Sequence, residues 1–191
     1  MQVHWRNMNG KVVVLLLSGP VAVGKSTLAT QLVKDHGFRT IRSGNYLRSV
    51  ATHLGSGTTR RALQELGDAL DLRTDYLWLI DDVASPQVEA APDHARWLLD
   101  SVRKERQVEH FRSRFPRVVH VHLTATDEDV RARYDVRLAS GGEYEGGTPY
   151  DEAIAHSNEV ASRGLIRIAD HVVDSTGDAV VETVMARLAL P

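Results

Sequence analysis

Apolar residues occupy every position from Val12 to Leu17. Such a run predicts a strand buried on both faces, as in a parallel sheet. After a short polar turn, Leu28, Leu32 and Val33 fall on one stripe of a helix predicted over Ser26–His36, with Gly37 as its stop. A short strand is expected near Arg39–Arg42. From Gly44 to about Ala91 the period is mostly helical: Ala62, Leu63, Leu66, Ala69 and Leu70 mark one helix, and Leu77, Ile80 and Ala84 a second. Residues 90–93 read as a linker. Arg96–Leu99 is a short apolar strand ending at Asp100, and Val108, Phe111 and Phe115 mark a helix stopped by Pro116. Val118–Leu123 is a strand whose His120 and His122 make one face more polar. Thr126 with Asp129 three residues on opens a helix in the manner of a capping box. A glycine-rich loop (Ser140–Pro149), a helix over Tyr150–Gly164, a strand His171–Asp174 and a helix Asp178–Leu190 close the chain. Strands alternating with amphipathic helices predict an α/β sheet covered by helices on both faces.

Composition narrows the class. The 191 residues fit one domain able to bury its own core. Lys+Arg 23 against Asp+Glu 25 leaves a net charge of −2, which argues against a basic coat for nucleic acid. With no cysteine, disulfides, thiolate zinc sites and cysteine nucleophiles are excluded. The apolar runs are too short to span a bilayer, and Met1–Gly10 lacks the apolar core of a signal peptide, so no membrane partner and a cytoplasmic location are expected. The nine histidines show no zinc spacing, and Asp81-Asp82 reads as a solvated turn.

Between the first strand and the first helix stands Gly19-Pro-Val-Ala-Val-Gly24-Lys25-Ser26, a match to G-x-x-x-x-G-K-[ST] in the context that motif requires. Glycines let a tight loop turn its N–H groups around phosphates, and the helix N-terminus favours an anion. Gly19, Val21, Ala22, Val23, Gly24, Lys25, Ser26 and Thr27 are therefore the candidate ATP-binding residues. Lys25 reaches the β and γ phosphates, and Ser26 is a ligand for Mg²⁺. Asp100, at a strand end, is the second candidate metal residue.

Several P-loop classes are disfavoured. No Asn-Lys-x-Asp segment reads guanine. Leu138-Ala-Ser-Gly-Gly-Glu143 is similar to an ABC signature but follows the Asp100 strand. An AAA+ motor requires a further helical domain for which the chain has no room. A small kinase fits better, because phosphoryl transfer asks for separated arginines, an acceptor-binding insertion and a closing lid. Arg48, Arg103, Arg131, Arg133 and Arg137 supply the arginines. Arg133 and Arg137, four apart on one helix face, read as two fingers on a phosphate chain, while Arg131 points elsewhere.

The segment Ile41–Arg48 (IRSGNYLR) resembles the Ser/Thr-Gly-Asp-x-Leu-Arg element of nucleoside monophosphate kinases, with Asn45 where Asp is usual. Arg61–Trp78 resembles the Leu-Gln-x-x-Gly…Trp region of phage-type deoxynucleoside monophosphate kinases. Trp97–Arg112 resembles their Asp-x-Val-Arg strand end, and His156–Glu159 with Ala169–Val184 their C-terminal His-x-x-Glu and closing strand–helix. Dephospho-coenzyme A kinase shares the architecture.

The resemblance implies a P-loop NTPase three-layer sandwich with a parallel five-stranded sheet. Its core is about 11–43, 92–130 and 165–191, its helical acceptor-binding insertion about 44–91, and its lid region about 131–160. It implies transfer from MgATP to a nucleoside or deoxynucleoside monophosphate, with Lys25, Arg103, Arg133 and Arg137 as catalytic residues. Ser43, Arg48, Gln64 and Arg103 would bind the acceptor. Small nucleotides are the expected partners, nucleic acid is not, and a homodimer is left open. Trp78 is read as packing the insertion. His156 and Glu159 read equally as a lid-side polar pair or a plain helix surface. A kinase for dephospho-coenzyme A or another metabolite, and a non-catalytic nucleotide sensor, are the alternatives.

Overall fold

The computed structural model describes residues 12–140 and 147–188, without the side chains of residues 60 and 61. Among them, β1 (Val13–Ser18), β2 (Arg39–Thr40), β3 (Arg96–Leu99), β4 (Arg117–Thr124) and β5 (His171–Asp174) form a parallel sheet in the order β2-β3-β1-β4-β5. All six residues of β1 are buried, because it is the central strand. Its side chains alternate between two cores. Val14 and Leu16 pack with Trp97, Leu99, Phe111 and the insertion on one face. Leu15 and Leu17 pack with Leu28, Leu32, Val121 and Leu123 on the other.

Helix α1 (Lys25–His36) leaves the end of β1 and stops at Gly37 (φ 66°). The insertion holds α2 (Gly44–His53), α3 (Arg60–Thr74), a π-helical turn (Leu79–Ala84) and α4 (Ser85–Glu89). The period at Leu77, Ile80 and Ala84 is thus met by a π turn running into α4 rather than by one regular helix. Trp78 is buried there; its Nε1–H donates to Asp71 Oδ1 at 2.7 Å, and its ring stacks on Tyr46 with centroids 5.7 Å apart. Burial holds the Asp71 carboxyl above the usual carboxylate range.

Helix α5 (Glu105–Arg114) follows β3, and α6 (Asp127–Ala139) follows β4. Thr126 Oγ1 caps α6 by accepting the Asp129 N–H at 3.1 Å. The expected helix Tyr150–Gly164 is instead two, α7 (Tyr150–Ala155) and α8 (Ser157–Gly164). His156 separates them with an extended backbone (φ −63°, ψ 136°), and its Nδ1 accepts the Asn158 N–H at 3.2 Å, so a local side-chain cap starts α8. A 3₁₀ turn (Leu165–Ile168) leads to β5, and α9 (Val180–Leu188) packs on α1. Residues 141–146 of the glycine-rich loop, residues 1–11 and the end of the last helix lie outside the described residues.

The polar face expected of β4 is buried. His120 Nε2 and His122 Nδ1 lie 2.7 and 2.8 Å from Ser18 Oγ. A hydroxyl has one hydrogen, so it donates to one ring and accepts from the other. Burial pushes both rings down to about 4 and keeps them neutral.

Candidate active site

The phosphate-loop segment runs from the end of β1 into α1. Gly19 (φ 132°) passes so close to β4 that a Cβ there would stand 2.4 Å from the Leu123 carbonyl oxygen. Packing of the sheet is therefore one reason for glycine at this position. Positive φ at Ala22 (59°) and Gly24 (109°) curls the loop into the nest geometry that cradles anions.

Lys25 is turned into this curl. Its Nζ donates to the carbonyl oxygens of Gly19 and Pro20, each at 2.7 Å. Burial pushes its ammonium down to about 8; Glu159 and Asp100 oppose that shift, and Arg103 and Arg137 add to it. Two carboxylates and two guanidinium groups, from three parts of the chain, thus act on one ammonium. The β1–β3 register, Leu16 beside Leu99, is what sets Asp100 next to the end of β1.

A cleft of about 980 Å³ opens here, at the strands' C-terminal edge. In open parallel sheets that edge is where ligands bind. Val21, Ala22, Val23, Gly24, Lys25 and Ser26 line one end, with Asp100, Arg103 and Arg137 beside them. Gln64 and Asp68 of α3 and Asn158 of α8 line the rest, while Glu159 of α8 lies against the loop. Gln107 fixes the loop that carries Arg103: its Oε1 accepts the N–H groups of Arg103 and Lys104 at 3.0 and 3.2 Å.

Other expected site residues stand elsewhere. Arg48 and Ser43 do not line this cleft; Arg48 is exposed on α2, 3.4 Å from Asn45 Oδ1. The turn before it starts a helix whose Arg48 side faces solvent. Thr27, inside α1, is exposed and also outside the lining. The pair expected on α6 is divided. Arg137 lines the cleft, whereas Arg133 donates to Val23 O at 3.2 Å and to Ser175 Oγ at 3.3 Å, tying the phosphate loop to the end of β5. Arg131 pairs with Asp151 and lies over the Tyr150 ring, 4.6 Å from its centre.

The structure adds residues that the sequence did not single out. Ser162 Oγ donates to Gly19 O at 3.1 Å, and Asn158 Nδ2 donates to both oxygens of Asp68, at 2.9 and 3.2 Å. Asn158 thereby ties α8 to the insertion. Glu159 is drawn out of its two sequence readings: its Oε1 accepts the Val21 N–H at 2.8 Å, and Arg163 Nε–H donates to the same oxygen at 3.2 Å. Arg163 also reaches Asp127 and the Tyr150 hydroxyl, each at 3.2 Å.

The donor set fits a magnesium nucleotide. Magnesium keeps several waters and takes one or two protein oxygens plus phosphate oxygens. Ser26 and Asp100, which both line the cleft, carry side-chain oxygens of that kind. Among the described residues no group of three or more His, Cys, Asp or Glu side chains forms a protein-only metal cage.

Comparison with known proteins agrees with this architecture. A family model for an AAA domain matches residues 15–148, from β1 to the segment before α7. No curated protein matches the chain. An unliganded sugar kinase from Janibacter sp. HTCC2649 is similar in structure with TM-score 0.55 and 16% identity, over 93% of this chain and 94% of that one. A gluconokinase from Sinorhizobium meliloti 1021 is similar with TM-score 0.50 and 14% identity, over 94% of each chain. The chain belongs to the AAA domain family, and it has the fold of the P-loop kinases.

Proposed function

We propose that this AAA-domain P-loop protein transfers the γ-phosphoryl group of MgATP to a small acceptor bound at the other end of the cleft. The observation that carries the reading is convergence: Lys25, Asp100, Arg103 and Arg137 meet at one end of a cleft whose other end is polar and built by α3 and α8. A nucleotide sensor has no need of that second compartment. Lys25 and the loop amides would hold the phosphates, and Ser26 and Asp100 the metal. Arg137 would neutralise charge on the transferring group, and Arg103 would orient the acceptor.

A nucleoside monophosphate is the acceptor that the sequence resemblance implies. Arg103 for its phosphate and Gln64 for its base support that reading, since both line the cleft. Arg48, the second phosphate ligand the resemblance implies, stands outside it. A hydroxyl-bearing metabolite is the other acceptor class, and sugar kinase and gluconokinase are the activities named for the two similar structures.

The test is ADP formation from MgATP with a panel of ribo- and deoxynucleoside monophosphates, dephospho-coenzyme A, sugars and sugar acids, with Lys25→Ala as the blank. Turnover with any acceptor that the blank lacks supports the reading. Bound ATP with no turnover across the panel favours a sensor.

A further inference from the structure

Resting on the kinase reading above, we infer that the acceptor is an alcohol and that Glu159 Oε2 takes the proton of its hydroxyl. The two carboxylate oxygens of Glu159 are not equivalent. Oε1 is fixed by two donors, the Val21 N–H at 2.8 Å and Arg163 Nε–H at 3.2 Å. Oε2 has no hydrogen-bond donor among the described residues. The side chain is 13% exposed and lines the cleft. A carboxylate gripped by one oxygen and open at the other is oriented to accept a proton with little rearrangement.

Its position selects the transfer end of the cleft. Val21 is in the phosphate loop, two residues after Gly19, and Glu159 is the first charged group, after burial itself, to act on Lys25. The group that holds the donor phosphates and the group that would hold the acceptor proton are therefore neighbours.

The other carboxylates in the cleft are arranged for different work. Asp68 accepts from Asn158 Nδ2 with both oxygens, so it braces α8. Asp100 stands at the strand end beside the loop, where the metal is expected. Glu152 is exposed on α7. Glu65 is exposed on α3 and has a partner of its own.

The acceptor class follows from the chemistry. A phosphate acceptor is already ionised near neutral pH and has no proton to give, and an anionic oxygen beside its dianion would be repulsive. A hydroxyl must lose its proton, and protein kinases use a carboxylate for that purpose. In the step, the acceptor oxygen forms a bond to the γ phosphorus. The bond from that phosphorus to the bridging oxygen breaks, and its electron pair leaves on ADP. The hydroxyl proton passes to Glu159 Oε2 and then to water. No oxidant or further reactant is needed.

The experiment compares wild type with Glu159→Gln and Glu159→Ala. Glutamine keeps an oxygen for the Val21 N–H but is far too weak a base. For an alcohol found in the sugar and sugar-acid panel, Glu159→Gln is expected to lower kcat by about 100-fold or more while the KM for ATP changes less than about 3-fold. Slow ATP hydrolysis, with water as the hydroxyl acceptor, is expected to fall likewise, and this arm needs no identified acceptor. Glu159→Ala should show the same kcat loss together with a raised KM for ATP. Retention of kcat within about 3-fold by Glu159→Gln, in both transfer and hydrolysis, overturns the inference. So does a wild type that phosphorylates nucleoside monophosphates and no alcohol, although the kinase reading then stands. Absence of Lys25-dependent ATP binding removes the kinase reading itself.

Discussion

The two ends of the cleft are built in opposite ways. The phosphate end is one continuous segment, Gly19–Ser26, shaped by its own backbone: positive φ at Gly19, Ala22 and Gly24, and a lysine folded back onto the carbonyls of Gly19 and Pro20. The acceptor end has no such segment. Gln64 and Asp68 come from α3 and Asn158 from α8, and Arg103 of the turn after β3 and Glu159 of α8 join them to the phosphate end. They meet only because Asn158 reaches Asp68 across 90 positions of sequence and Glu159 reaches Val21 across 138. A binding function coded locally is fixed by a motif, whereas one assembled from distant elements is fixed by packing and free to vary in specificity.

The largest test of this contrast is at the local end. Lys25→Ala should lower phosphoryl transfer by about 10³-fold or more in an ADP-release assay. Its far-UV circular dichroism should match wild type, because the side chain touches two backbone oxygens and no core cluster. Comparable activity in a folded variant would break the assignment.

At the assembled end, Arg103 and Arg48 form a matched pair. Arg103→Ala should raise the acceptor KM by about 10- to 100-fold and leave the ATP KM nearly unchanged, as loss of one charged hydrogen bond to the acceptor requires. Arg48→Ala should change either KM by less than about 2-fold, since Arg48 is exposed outside the cleft. An acceptor KM that depends equally on both would place the nucleotide phosphate site on α2 after all.

The smallest expected effects come from pH. Lys25 is pushed down to about 8, and only its ammonium attracts phosphate. Affinity for ATP should therefore fall several-fold as pH rises through about 8, measured by nucleotide titration. Beneath the loop, His120 and His122 are pushed down to about 4 from an ordinary 6.5. The unfolded chain then takes up protons first as pH falls. The stability from these neutral rings is fully present above about 6.5 and is lost between about 6.5 and 4. The thermal midpoint should drop across that window, and His122→Gln should flatten the slope.

Much of the fold was legible because its signals are local. A parallel strand buried on both faces reads as an unbroken apolar run, and β1 is buried at all six positions. Gly37 and Thr126 mark helix ends by chemistry that needs no tertiary partner. The departures have non-local or competing causes. The helix period across Tyr150–Gly164 is interrupted by the side chain of His156, which caps α8. On the polar face of β4, His120 Nε2 and His122 Nδ1 both meet a single hydroxyl, Ser18, more than a hundred residues away. Spacing put Arg133 and Arg137 on one face, but Arg133 is taken up by Val23 and Ser175. The phosphate loop was readable as a motif. Glu159 was not distinguishable from a helix surface until α8 was seen against Val21.

The most direct test is phosphorus-31 NMR of the wild-type reaction with MgATP and the mixed sugar, sugar-acid and nucleoside monophosphate panel. The account predicts ADP together with a new phosphate monoester resonance in matching amount, both absent with Lys25→Ala. A nucleoside diphosphate made from an added monophosphate, with no monoester, would contradict the alcohol acceptor, and an unchanged ATP spectrum would contradict phosphoryl transfer altogether.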